Sequence, residues 1–335
     1  MILLDQSIPE NKWNELLREN PHSTPFQTPE FYRLIREIPG LSVYACAVEA
    51  NGKLLALAVT VVFSGRGLKG FFSRRGIIYG GPLVRQGEND ALSSLLEAIH
   101  CAIARRTIYL ETRNYSDYSA VRGLFEKHGW SYIPYLDIRI DTGNREAMYS
   151  AISSSRRRQI RRAAGSGAEI KEASSMADVE MFYRILNDHY RKRVRKPLMP
   201  IEFFRRAFSY RFGKFLLVWY QNRVIGGIYC PLLEHHSIYE FYICGLDQEY
   251  RDQYPSVMAT WAAMEYACDN SIEYFDLMGG GPPDKNYGVR DFKVRFGGRQ
   301  VEYGRFLKIN NRFMYTLGKT GITLIGKLLL NEGSD

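Results

Sequence analysis

The sequence predicts a mixed α/β (α+β) chain of two tandem units, each a mostly antiparallel sheet flanked by helices. Three observations predict it. The order hairpin, third strand, helix, closing strand runs twice along the 335 residues. The two copies stay in step, with Val43 falling against Phe215 and Ile108 against Tyr274. Each hairpin closes on a two-residue polar turn, Asn51-Gly52 in the first copy and Gln221-Asn222 in the second. A chain of this length has material for two cores, and a repeated α/β pattern is the signature of an internal duplication.

In the first unit, "LSVYACAVEA" and "KLLALAVTVVF" are the hairpin strands and "FFSRRGIIYGG" is the third strand. The run "NDALSSLLEAIHCAIARR" has helical spacing behind an Asx start, and "TIYLET" closes the unit as a buried strand. The second unit opens on the basic helix "REAMYSAISSSRRRQIRRAAGSGAEI", stopped by Gly-Ser-Gly. There "KFLLVWY" and "RVIGGIYCPLL" form the hairpin and "HSIYEFYICGL" the third strand, followed by the helix "SVMATWAAMEYACDN" and the closing strand "IEYFDLM". The expected divisions are 1–145 and 146–308. A last helix over 309–331 is expected to return to the first unit, with a broad apolar face that also allows membrane-surface docking.

Composition narrows the partners. Lys and Arg outnumber Asp and Glu by 45 to 36, a net charge of +9 that favours an anionic partner. The five cysteines are scattered and show no CxxC spacing, so neither a disulfide framework nor a zinc site is expected. The start "MILLDQSIPENKW" lacks the basic and apolar regions of a signal peptide, and "LLALAVTVVF" is too short to span a bilayer. A cytoplasmic protein is expected.

Candidate site residues concentrate in the second half. The basic helix places Arg157 with Arg161 and Arg158 with Arg162 one turn apart, either as a phosphate-binding ridge or as a solvated face. A second cluster, Arg191, Lys192, Arg193, Arg195 and Lys196, lies in the loop before a helix starting near Ile201. Near the end, "YGVRDFKVRFGG" alternates like a strand, with Phe292, Val294 and Phe296 on one face and Lys293 and Arg295 on the other. No Ser-His-Asp or Cys-His arrangement points to a covalent route, and His235-His236 sit in a turn. "LMGGGPPDKN" reads as a cleft-shaping loop, because Pro282-Pro283 stand where a P-loop helix would begin.

The duplicated order resembles the GNAT acyltransferase fold, and two such units in tandem resemble the Fem family of peptidoglycan-bridge aminoacyltransferases. The motifs that carry the resemblance are "RRRQIRRAAGSG", "HYRKRVRKPLMPIEFF", Phe275-Asp276-Leu277 and "FKVRFGG", with "FQTPEFYRLIR" near the start, where Phe31 replaces the family's Trp. Together they span essentially the whole chain. The resemblance implies transfer of an aminoacyl group from aminoacyl-tRNA to the peptide amine of a lipid- or UDP-linked peptidoglycan precursor at the inner face of the membrane, with no cofactor and no metal. It implies oxyanion stabilisation by Lys293 and orientation of the attacking amine by the Phe292 carbonyl. Arg191, Arg193, Arg195, Tyr239, Tyr242 and Asp276 are then candidates for substrate binding, and Arg157, Arg158, Arg161 and Arg162 for RNA. The family's early lysine falls near Ile35, flanked by Arg33 and Arg36, which become candidates for the precursor's diphosphate.

The main alternative is an acyl-CoA-dependent N-acyltransferase, which would hold the pyrophosphate on backbone amides of a glycine-rich loop at a helix start. The second half reads "LDQEYRDQYPSVMAT" there, with no glycine and a proline that removes an amide. A non-catalytic binder of the same fold is the third reading.

Overall fold

The computed structural model describes residues 1–64 and 74–318 and divides into two compact units, Met1–Ile133 together with the segment from Tyr303 onward, and Pro134–Glu302. The first unit is one sheet with helices on it. Its elements are β1 (Ile2–Leu4), α1 (Glu10–Glu19), α2 (Pro29–Arg36), β2 (Leu41–Ala50), β3 (Lys53–Phe63), β4 (Arg75–Gly80) and β5 (Leu83–Val84). They continue with α3 (Asn89–Ile103), β6 (Tyr109–Asn114), α4 (Arg122–Lys127) and β7 (Ser131–Ile133). The β2–β3 hairpin turns at Asn51-Gly52, both in the left-handed region the turn requires. β4 pairs antiparallel with β3 and parallel with β6, the return that needs α3 as its crossover. Val62, Ile78, Leu95, Leu96, Ile99 and Phe125 belong to the core beneath α3.

The second unit repeats this plan with a break in it. It contains β8 (Leu136–Asp141), α5 (Arg145–Ala151), α6 (Ser154–Gly165), β9 (Glu169–Glu172), α7 (Met176–His189) and α8 (Ile201–Ser209). Then come β10 (Lys214–Tyr220), β11 (Arg223–Cys230), β12 (Leu232–Leu233), β13 (Ser237–Tyr239) and β14 (Tyr242–Gly245). α9 (Pro255–Asp269), β15 (Tyr274–Asp276), α10 (Gly288–Val294) and β16 (Arg299–Glu302) complete it. The expected third strand is split. β13 pairs in parallel with β15 in one sheet, while β14 pairs antiparallel with β11 in another. The amide of Glu240 bonds Asp276 O (2.9 Å) and that of Phe241 bonds Tyr229 O (3.1 Å), so the strand changes partners at these two residues. Beyond Asp276 the chain stays with β8, which β15 already pairs with, through Leu277 N to Ile138 O (2.9 Å). β14 is therefore an edge strand, and the sheets splay apart at Glu240.

Each unit also takes in a strand from beyond its expected boundary. β17 (Arg305–Ile309) lies between β6 and β7 in the first unit, and β8 lies between β15 and β16 in the second. The divisions accordingly fall at Ile133 and Glu302, and not at the expected 145 and 308. Hairpin and helix signals are local, whereas these pairings join residues as far apart as Leu307 and Glu111, or Phe275 and Ile140, and leave no local mark. Of the helix expected over 309–331, Ile309 belongs to β17, and Tyr315 packs edge-on against Tyr109 (5.5 Å). Residues 319–331 lie outside the described residues.

Candidate active site

The stretch expected as a strand at residues 287–298 is a helix over Gly288–Val294 followed by a turn, and this corrects the face assignment of its lysine. Phe292 and Phe296 fit a two-residue period and also the i, i+4 spacing of a helix, so five residues cannot separate the two. Their rings meet at 5.4 Å on one face of α10 and just beyond it. Gly297 ends the helix with φ +85°, its amide on Val294 O (3.0 Å). A Cβ there would lie 2.5 Å from the Ala151 backbone, so Gly297 marks backbone packed on the end of α5, while a Cβ at Gly298 would meet Ile138 and Arg139 of β8. The amide of Ser153, which caps α6, bonds Arg295 O (3.0 Å) and ties the basic helix to this turn.

The helix turns Lys293 inward, to 7% exposure, at the splay point. Its ammonium lies 2.9 Å from Glu240 Oε1 and donates to Met278 O (2.7 Å) and to Leu277 O. An ammonium has three N–H donors, and here all three are engaged. Arg290 of the same helix donates to Pro282 O (3.0 Å) and to Lys285 O, so two cations of α10 clamp the glycine loop that follows β15. Met278 sits in that loop at φ +50°, left-handed without being glycine. Glu240 is buried with Oε1 on Lys293 and, among the described residues, no partner for Oε2. Burial raises its pKa, and Lys293 pulls it back. Asp276, fully buried, accepts from Arg139 Nε (3.3 Å) and Met278 N (2.7 Å). Burial also raises the Asp276 pKa, opposed first by Arg139, whose guanidinium lies 4.0 Å over the Tyr274 ring.

On the outer side of the motif stands Arg156 of α6. Its guanidinium lies 4.2 Å over the Phe292 ring and 5.2 Å over that of Phe296, and one terminal nitrogen bonds Gln159 (2.7 Å). Burial, with Arg295 adding to it, lowers its pKa to about 10, opposed by Asp247. Asp247 accepts from the Ser256 amide (3.0 Å) and hydroxyl (2.5 Å) at the start of α9. The first position of that helix is Pro255, which has no amide to offer. Burial, reinforced by Arg193, lowers the pKa of His189 at the end of α7, again against Asp247. Further along α10 a surface depression of ≈ 330 Å³ is lined by Arg290, Asp291, Val294, Arg295 and Gln300.

Residues 154–288 match the family model described as an acetyltransferase (GNAT) domain. The solved structure of FemX superposes with a TM-score of 0.72 over 94% of this chain and 99% of its own, at 14% identity. The chain has a Fem-like tandem GNAT fold. The C-terminal domain of a putative lysylphosphatidylglycerol synthetase from Agrobacterium fabrum superposes with a TM-score of 0.59 at 13% identity, over 94% of this chain and 96% of that one. A tandem GNAT protein from the clavulanic acid biosynthesis pathway does so at 0.57 and 9% identity, over 92% and 99%. No curated protein matches the chain by sequence.

Within the second GNAT unit the candidate residues scatter. Lys293 and Asp276 meet at the splay, while the Phe292 ring lies under Arg156 on the other side of α10. Tyr239 is fully buried, its hydroxyl 3.0 Å from that of Tyr274. Tyr242 joins an aromatic group with Tyr190 (5.8 Å) and Phe204 (5.3 Å). Arg191 and Arg193 are exposed on a π-helical turn, Tyr190–Val194, that Arg195 ends at φ +52°. Arg158 and Arg161 are exposed on α6, while Arg162 pairs with Asp252 (2.8 Å) and Arg157 donates to Ser150 O (3.1 Å).

In the first GNAT unit Arg33 is held on the surface by Glu10 and Glu30, both at 2.7 Å, and Arg36 lies over the Tyr32 ring (5.6 Å). There β4 also leaves β3, after Ile77, but its own chain fills the gap. Phe26 stacks near Tyr79 (5.4 Å) and Gln27 donates to Gly81 O (2.8 Å), both residues with no exposure. The splay is thus plugged in one unit and lined by charge in the other. Glu240 and Arg156 do not stand out in the sequence. A lone carboxylate within the apolar run "SIYEFYI" is the signal for the first, and the spacing Arg156, Ile160, Ala163 on the buried face of α6 the signal for the second. Among the described residues no group of His, Cys, Asp and Glu could hold a metal ion, and no helix is long and apolar enough to cross a membrane.

Proposed function

We propose that the second GNAT unit is catalytic and that the protein transfers an aminoacyl group from aminoacyl-tRNA to a peptide amine of a lipid- or UDP-linked peptidoglycan precursor. The observation that carries the choice of donor is the Asp247 carboxylate seated on Ser256 at the start of α9. A diphosphate docked there would meet a carboxylate already using the free amide, a like charge in the place where the helix terminus would otherwise favour an anion. An acyl-CoA donor is disfavoured by the same geometry. A donor carried by RNA has other charges to offer, and the exposed Arg158, Arg161, Arg191, Arg193 and Arg195 present cations for its phosphates. FemX, and a synthetase named for lysylphosphatidylglycerol, are among the structures of like fold.

In this reading the amine attacks the ester carbonyl, the oxyanion of the tetrahedral intermediate forms beside Lys293, and the ribose oxygen leaves. Because the three donors of Lys293 are engaged, the oxyanion displaces one of its carbonyl partners. Met278 O, on a left-handed residue in the glycine loop, is the partner whose release relaxes backbone strain. Purified protein incubated with a charged-tRNA pool, and separately with acyl-CoA, each with UDP-linked precursor, tests the reading by mass spectrometry of the acceptor. An added aminoacyl mass from tRNA alone is the expected result. Product formed from acyl-CoA alone overturns it.

A further inference from the structure

We propose that Glu240 is the proton acceptor for the attacking amine, its Oε2 atom receiving the proton. This rests on the acyl-transfer reading above and assigns its base. Glu240 occupies the residue at which the third strand of the second unit changes sheets, the place where the two sheets part. One of its oxygens holds Lys293 at 2.9 Å, and the other is buried without a partner among the described residues. A buried carboxylate oxygen left unpaired costs stability unless something uses it. Asp276 cannot take this part, since Arg139 and the Met278 amide occupy both its oxygens. The charged and titratable groups facing Glu240 are Lys293 of α10, Asp276 of β15 and the buried thiol of Cys230 of β11, with Arg139 of β8 behind Asp276.

The chemistry requires such an acceptor. At neutral pH the incoming amine is an ammonium, with a pKa of about 10.4 for a lysine-like group, and has no lone pair to attack with. Glu240 Oε2 accepts one proton from it. The nitrogen then bonds the ester carbon, the carbon–oxygen bond to the ribose breaks, and the leaving oxygen takes the second proton from the nitrogen. The proton on Glu240 returns to solvent, and the products are an amide and an alcohol. Protonation of Glu240 also weakens its hold on Lys293, which eases the shift of that ammonium from Met278 O to the oxyanion as it forms. One pair therefore supplies both the base and the timing of the electrophile. Burial sets the carboxyl above its ordinary range, closer to the working pH, which suits a general base.

The test is the pH profile of kcat/KM for transfer from a charged-tRNA pool to UDP-linked precursor. Wild-type activity is expected to fall on the acid side with a single titration above the ordinary carboxyl range. Glu240→Gln is expected to lose about 10²- to 10⁴-fold and its acid limb. Glu240→Ala is expected to regain activity with added formate, which restores a carboxylate in the space left. A wild-type profile flat from about pH 5 to 8 overturns the assignment, as does a Glu240→Gln enzyme within threefold of wild type with the acid limb intact. Formate rescue, or its failure, decides the matter if Glu240→Gln does not fold. Wild-type protein that transfers from no donor overturns the functional reading, and this one with it.

Discussion

Replacing Lys293 by Met removes the cation from a nearly dry ion pair, since the Lys293 and Glu240 side chains are 8% and 3% exposed. Methionine keeps most of the volume, so the loss is electrostatic, together with the bonds to the Leu277 and Met278 carbonyls. Breaking a buried pair by deleting one partner costs about 3 to 5 kcal/mol, because the other charge stays behind. The pH dependence separates this cost from ordinary packing loss. Burial raises the Glu240 pKa and Lys293 lowers it, so the substitution raises it further. A carboxyl whose folded pKa exceeds its unfolded value binds more protons folded than unfolded, and stability falls as pH rises through that interval. Below the unfolded value of about 4.3 the variant is therefore closest to wild type, and the gap widens as pH rises toward neutrality. Asp276 also feels Lys293 and adds with the same sign. Hydrogen exchange of the β15 and α10 amides, normalised to the intrinsic rate at each pH, reads the gap. A difference constant within ~0.5 kcal/mol across that range refutes the argument, and so does one that narrows as pH rises. Glu240→Gln combined with Lys293→Met should recover much of the loss, as two neutral side chains leave no buried charge.

Gly297→Ala forces a left-handed φ on a residue whose Cβ would stand 2.5 Å from the Ala151 backbone, and about 2 to 4 kcal/mol of stability should be lost, seen as a lower thermal midpoint. Arg156→Lys keeps the charge but not the planar stack on Phe292 and Phe296, and should cost about 1 to 2 kcal/mol in thermal unfolding; a variant as stable as wild type would show that the stack contributes nothing. Arg158→Glu with Arg161→Glu should weaken tRNA binding at low salt and flatten its salt dependence, by about 0.7 in log–log slope for each phosphate no longer neutralised, measured by fluorescence anisotropy. Equal slopes for variant and wild type would remove α6 from the RNA surface.

What is legible in the sequence is what depends on neighbours along the chain. Both hairpin turns, the stop of α6 at Gly-Ser-Gly and the proline start of α9 are local signals, and each stands where the sequence puts it. The pattern over 145–165 reads as one helix, but Ser153 caps a new one, and the serine run there holds that information. The site is only half legible, for two physical reasons. A motif of five residues cannot choose between a strand and a helix when its aromatic residues are four apart, so strand alternation puts Lys293 on an outer face when α10 buries it. And the partner that defines its chemistry, Glu240, comes from a strand 53 positions earlier that belongs to two sheets at once. Motif order ranks residues by what surrounds them in sequence, whereas the state of a lysine is set by which carboxylate the fold brings to it. The same consideration explains why the two units, alike in plan, differ in chemistry. In the first, Pro25–Gln27 enters the gap between β3 and β4 and satisfies its polar groups with its own amide. In the second, the Glu240–Lys293 pair stands beside the end of β15, and charge takes the place of the plug. A duplicated fold thus supplies one splay point filled by a ring and an amide and one occupied by a buried ion pair, and the chemistry proposed above uses the second.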